Sequence, residues 1–400
     1  MGLKEAALRV LAIAQKNPAP LPLFIISDPR NVHHTLVPNA RFFNSKSQRI
    51  AWKFGKFGLI FLAASVICLR IIPLAATISL AEGTNLINTL EELGVHSFLI
   101  ALCFLIISSY FTIEKNLVEL CFILNEALKL LDFTSRKGFS TNSTKGAIET
   151  FIYGVGVIFC VAPGFIFLLP FLRAYDPIQW TLLRYFNFGA NCYPLKICAG
   201  IIYTVLVAPA CPVLLVVILL CGTCLDCCQR VSSTLLSVLA TGNSKLATKS
   251  RSFLFTRKLK LYQKLRIFLT IFNSVFKEFG TVGVGTCIQI SIWCSTILIT
   301  MRGILPLALC INCGLFLVCA GGILFFFIRL AGSSHTNGSK FRRTWRWYCM
   351  KKYERVKLRS CPQIGFALYP AVKHISQYTA LLISNLILNY TATFVILKSA

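Results

Sequence analysis

Residues 375–397 read ISQYTALLISNLILNYTATFVIL, a run with no charge between Lys373 and Lys398. A helix needs about 20 apolar residues to cross ~30 Å of hydrocarbon, so this run can span a membrane. It also carries Gln377, Tyr378, Ser384, Asn385, Asn389, Tyr390 and Thr391, more polar groups than a lipid-facing helix requires. Gln377, Leu381, Ser384, Leu388, Thr391 and Val395 follow an i, i+4, i+7, i+11 spacing that puts them on one helical stripe, with Asn385 on its flank. Uncharged polar groups interleaved with apolar side chains suit a cation pore closed by a hydrophobic gate. Hydrogen bonding between helices of one bundle would use the same residue types. On the pore reading, the constriction falls at Leu388, Val395 or both.

Working outward, six further runs have the length and apolarity of a span: 57–81, 97–113, 148–172, 199–225, 281–301 and 304–330. Pro73, Pro163, Pro170, Pro209, Pro212 and Pro306 lie within them. Such prolines are tolerated in membrane helices, where neighbours satisfy the freed carbonyls. Of the 400 residues, 56% are hydrophobic and 14% charged, and the mean hydropathy is +0.70. That composition excludes a soluble globular domain. The expected fold is therefore all-α: a polytopic membrane protein of seven transmembrane helices. The 18 cysteines do not imply a disulfide scaffold, because at least half lie in apolar stretches, where Cys behaves as a small hydrophobe.

The net charge of +27 could suggest nucleic acid, but its distribution gives another reading. Basic residues near span ends stay on the cytoplasmic side. Segments 1–56, 114–147, 226–280 and 329–374 hold 35 of the 41 Lys and Arg, whereas the opposite loops and the C-terminal end hold five. The N-terminus is thus expected inside and, after seven crossings, the C-terminus outside. No nucleic-acid partner is implied. The sequons Asn142-Ser143-Thr144 and Asn337-Gly338-Ser339 fall in segments assigned to the cytoplasm and run against the charge count.

The basic segments themselves read as helices. In 253–276, Phe253, Leu254, Leu261, Leu265, Phe268, Leu269 and Phe272 recur near a helical period among Arg257, Lys258, Lys260, Lys264 and Arg266. Residues 341–358 repeat the pattern with Trp345, Tyr348 and Tyr353, and 117–131 extends the second span inward. Such helices can lie on anionic lipid or form a layer of subunit contacts beneath the membrane. Residues 1–16 read as an amphipathic cytoplasmic helix, since their apolar core is too short for a signal peptide.

Catalytic chemistry is poorly supported. No carboxylate pair or nucleophile with base appears within the spans, and no phosphate-binding glycine loop occurs, so no catalytic residue, metal or cofactor is assigned. Cys221, Cys224, Cys227 and Cys228 have metal-like spacing, but 221, 224 and 228 share a helix face while 227 points aside. Apolar packing or juxtamembrane palmitoylation accounts for them better than a metal site. His33-His34 lacks a third ligand nearby, and Gly280, Gly283 and Gly285 suit close helix packing. Charge within the spans is nearly absent apart from Arg70, which argues against a proton-coupled pump; Arg70 itself is expected to face the bundle near Pro73.

Seven spans, an inner N-terminus, basic helical inner segments and a chain ending just after its last span resemble the insect-type gustatory and odorant receptor superfamily. That family's last helix carries Thr-Tyr, five hydrophobic residues, then Gln-Phe. Here Gln377-Tyr378 precedes residues 379–383 and Ser384-Asn385, so Tyr378 matches and the spacing to the next polar residue is kept. The resemblance implies a divergent gustatory-type chemosensory receptor in the plasma membrane, acting as a ligand-gated, non-selective cation channel. It implies a homo- or hetero-tetramer whose seventh helices line the pore and whose inner extensions anchor the subunits, with lipid meeting much of the basic charge. The chain then divides into a cytoplasmic region 1–56, helices one to six over 57–330, a basic anchor segment 331–374 and the pore helix 375–400. A small-molecule ligand would enter among the outer halves of spans two to six, with Phe98, Phe165, Tyr203, Trp293 and Asn312 as pocket candidates. A G-protein-coupled chemoreceptor and a lipid-handling or scaffold membrane protein are the competing readings. The first of these would carry its C-terminus inside.

Overall fold

A computed structural model describes residues 23–27, 34–38, 46–78, 84–135, 193–207, 210–240, 248–300, 307–348, 352–368 and 375–399. Six of its helices are long and apolar enough to cross a membrane, and they overlap six of the seven expected runs. The remaining run, 148–172, lies outside the described residues, as does 1–16. The protein is a helical, multi-pass membrane fold with one small addition. β1 (Leu23–Ser27) and β2 (His34–Pro38) pair antiparallel, and His34 opens the second strand.

The first span is α1 (Lys46–Val66), joined through a π-helical turn at Ile67–Ile71 to α2 (Ile72–Ile78). Pro73 explains the turn: it has no N–H for the carbonyl four residues back, and a locally widened helix makes room for its ring. The side chain of Arg70, within this turn, lies outside the described set. α3 (Thr84–Ser135) kinks at Asn116, whose φ of −125° and ψ of 31° leave the helical region while its amide donates to the Thr112 carbonyl at 3.3 Å. Beyond the kink, Leu117, Leu120, Cys121, Leu124, Leu128 and Leu131 form the buried stripe expected of an inward extension. α4 (Tyr193–Val207) and α5 (Ala210–Ala240) follow, so the run 199–225, expected as one span, falls on two helices, of which α5 has the length and apolarity to cross a membrane.

α6 (Thr248–Thr300) is one continuous helix of 53 residues, ~80 Å at 1.5 Å per residue. That exceeds a ~30 Å hydrocarbon layer by far, so the span continues well beyond the membrane, as its sequence pattern predicts. α7 (Leu307–Tyr348) does the same and turns into α8 (Lys352–Arg359). The extensions pack on each other through rings: Tyr262 stacks on Phe341 with centroids 5.3 Å apart, and Phe255 meets Trp345 at 5.3 Å. Phe253 and Tyr353, expected among the apolar positions, are exposed instead. Lys258 reaches across to the Thr234 carbonyl near the end of α5. A single buried cluster runs from the spans into this layer. The chain ends in α9 (Gln377–Ser399).

Two sequence puzzles resolve in the packing. Cys221, Cys224, Cys227 and Cys228 are all buried and reduced, and Cys227 does not point aside: its Sγ donates to the Ala127 carbonyl of α3 at 3.5 Å. Among the described residues no group of three or more His, Cys, Asp or Glu could hold a metal. Asn337 of the second sequon lies inside α7 and donates to Ser232 Oγ of α5 at 3.3 Å, and a Cβ at Gly338 would overlap Ile364. A glycan cannot occupy that site without opening the helix contact. The first sequon lies outside the described residues. Of the three glycines in α6, a Cβ at Gly280 or Gly283 would meet Leu368 or Leu105, whereas one at Gly285 would meet nothing within 4 Å.

Candidate functional site: the last helix and its strap

α9 has a built start. Ser376 precedes it, its backbone N–H donates to Thr379 Oγ1 at 3.0 Å, and the two hydroxyls lie 3.3 Å apart. This is a capping box with Thr in place of the usual Glu. One face of the helix, formed by Ala380, Ile383, Ile387 and Thr391, packs on α6 and α7. Trp293 of α6 lies against Phe394, centroids 5.0 Å apart.

The rest of α9 is uncovered in the single chain. Leu381 and Leu388 are 68% and 67% exposed, and Ser384 and Asn385 share that side. Thr391 departs from the predicted stripe: it is 7% exposed, turned into the bundle, and its hydroxyl has no hydrogen-bond partner. Val395 is half-buried, and the side chain of Gln377 is outside the described set. The reason is angular. Steps of i+4 and i+3 drift around a 3.6-residue helix, so the lower part of the stripe faces out and its upper part rolls toward α6. The line turned furthest from the bundle runs through Leu381, Asn385, Leu388, Asn389, Ala392 and Ile396. Leu382 and Leu386, which the sequence assigns to lipid, are exposed as well.

An exposed asparagine in hydrocarbon is costly, because its amide has no water to bond. Thr393 avoids the problem by bonding back to the Asn389 carbonyl at 2.8 Å. Among the described residues, the side chains of Asn385 and Asn389 have no such bond. They need water or another chain.

Besides that packing, the start of α9 is fixed by a strap, residues 360–368, that the sequence gives no sign of. Tyr262 Oη donates to the Pro362 carbonyl at 2.8 Å, and Gln363 donates to Ser339 Oγ at 2.6 Å. Asn273 of α6 clamps the strap backbone: its Nδ2 donates to the Gly365 carbonyl at 3.0 Å, and its Oδ1 accepts from Ala367 N–H at 3.3 Å. Ile364, Phe366 and Leu368 are buried, and Ile375 N–H donates to the Phe366 carbonyl at 2.8 Å. The start of α9 is thereby tied to the part of α6 that extends beyond its apolar span.

Of the pocket candidates, Trp293 is the one whose side chain is described, and it contacts α9. Phe98, Tyr203 and Asn312 sit on α3, α4 and α7 with side chains outside the described set, and Phe165 lies outside it altogether.

No family model matches the sequence, and no curated protein does either. Among solved structures, an insect olfactory receptor, OR5 from Machilis hrabei, in complex with eugenol, superposes with a TM-score of 0.63. The match covers 99% of this chain and 97% of that one. The chain has an insect olfactory-receptor fold. A second structure of the same receptor matches with a TM-score of 0.56 over 98% and 96% of the two chains. The identities are 10% and 12%, so the likeness resides in the path of the backbone.

Proposed function

We propose that the protein is a chemosensory receptor of gustatory type, a ligand-gated, non-selective cation channel of the plasma membrane assembled as a homo- or hetero-tetramer. The observation that carries this reading is the outward face of α9, a helix uncharged before Lys398 in which, among the described residues, the side chains of Asn385 and Asn389 have no hydrogen-bond partner. Four such faces around one axis would give these amides water, and Leu388 would form the apolar ring that excludes ions by dewetting. Val395 then stands behind the ring. A rotation of α9 that carried the Thr391 hydroxyl to water would relieve a desolvation cost of about 1–3 kcal/mol, favouring an open state. The inner extensions would join the subunits, and a small apolar molecule, the class to which eugenol in the OR5 complex belongs, would bind among the outer halves of the spans beside Trp293.

The 35 basic residues on one side support an inner N-terminus and an outer C-terminus. The test joins topology to current. A tag after Ala400 should be stained on intact cells, and a panel of small apolar compounds should evoke cation current in those cells. An intracellular tag would favour a G-protein-coupled receptor. A surface-expressed, tetrameric protein with no current to any compound, and none from Leu388→Ser, would remove the channel reading.

A further inference from the structure

Residues 340–359, which take in the end of α7 and the whole of α8, carry nine Lys and Arg against Glu354 alone. Four of them, Arg342, Arg346, Arg355 and Arg359, line one pocket with Leu358 as its apolar floor. Leu358 is buried, while Arg346, Arg355 and Arg359 are exposed at the rim and Arg342 is half-buried. Guanidinium groups gathered on a single concavity repel one another, and the repulsion falls when an anion sits among them. Their planar forks match phosphate oxygens two at a time, which lysine cannot do.

Depth decides which phosphate. The apolar run of α7 ends at Leu330, and the helix continues unbroken to Tyr348. Arg342 and Arg346 are twelve and sixteen residues further on, ~18 and ~24 Å along the axis. The headgroup zone adds only ~5–8 Å to each side of the hydrocarbon. Even with a tilt of ~20° the pocket lies beyond the reach of lipid phosphates. We propose that this arginine pocket binds a small soluble anion carrying several phosphates, at a site separate from α9.

The test uses the full chain in nanodiscs of zwitterionic lipid at ~0.15 M NaCl, where diffuse attraction is screened beyond ~8 Å. The probes are myo-inositol hexakisphosphate and inorganic phosphate, read by calorimetry and by the unfolding midpoint. The hexakisphosphate should bind saturably and raise the midpoint, with inorganic phosphate far weaker. Arg342→Gln with Arg359→Gln should weaken it at least tenfold. Arg257→Gln with Lys264→Gln, which removes two exposed charges from α6, should change it less than threefold. If the first pair lowers the midpoint of the unliganded protein, Arg346→Gln with Arg355→Gln takes its place. Equal weakening by the pocket and control pairs would overturn the site in favour of general charge. Absence of binding would overturn it too, as would a response confined to nanodiscs containing phosphatidylinositol bisphosphate, which would assign the pocket to headgroups.

Discussion

Replacing Asn273 by Leu keeps most of its volume and deletes both bonds to the strap. The Gly365 carbonyl, which is buried, loses its donor, and Ala367 N–H loses its acceptor. Each part-buried neutral hydrogen bond contributes ~0.5–1.5 kcal/mol net, and an orphaned buried carbonyl raises the cost, so the strap should lose about 2–3 kcal/mol. At 1.4 kcal/mol per factor of ten, its opening equilibrium rises ~30–150-fold. Hydrogen exchange resolves that change, because strap amides open locally while the helix beneath stays closed. The amides of Ala367 and Ile375 should exchange faster by that factor, and those of Leu265 to Leu269 in α6 should not. Unchanged exchange at Ala367 would refute the clamp. Equal acceleration through α6 would mean that Asn273 holds the helix bundle and not the strap. Since Ile375 N–H bonds to the Phe366 carbonyl of the strap, the variant should also loosen the start of the last helix.

Three further expectations follow from particular contacts. Lys56 is buried between the rings of Phe57 and Phe111 with Glu114 Oε2 at 2.6 Å, the side chains being 9% and 42% exposed. Because Glu114 is well solvated, Glu114→Gln should cost only ~1–2 kcal/mol, yet Lys56→Met with Glu114→Leu should recover most of it in a thermal unfolding series. Leu388→Ser should raise ligand-independent current by hydrating the proposed ring, whereas Val395→Ser, half-buried against the bundle, should raise it less; the reverse order would move the gate. Burial pushes the Cys361 thiol up, with Arg266, Arg342 and Lys357 partly offsetting it. A raised thiol value stabilises the fold below the ordinary thiol range, and that stability is lost as pH climbs through the raised value. Cys361→Ser should therefore flatten the fall in unfolding midpoint above about pH 8.5, and iodoacetamide mapping should find Cys361 slow to react in the native protein.

The sequence by itself determined what depends on transfer from water. Apolar run length gave the spans, and six of the seven reappear as helices because the cost of leaving a backbone amide unbonded in hydrocarbon permits little else. The amphipathic period of 117–131 and 253–276 likewise gave the inner extensions, since a 3.6-residue stripe has to be buried against something. Tertiary structure decided matters of angle and contact. Whether Thr391 faces a pore or the bundle depends on a rotation of tens of degrees about α9, which neighbours set and spacing does not. Cys227 was buried by the approach of Ala127, a residue 100 positions away. The strap was invisible for a related reason: residues 360–368 have no period, and their burial comes from Asn273, Tyr262 and Ser339 on two other helices. The arginine pocket shows both halves of the division. Its charge was legible as a basic run, but the convergence of α7 and α8 on one concavity exists only in three dimensions.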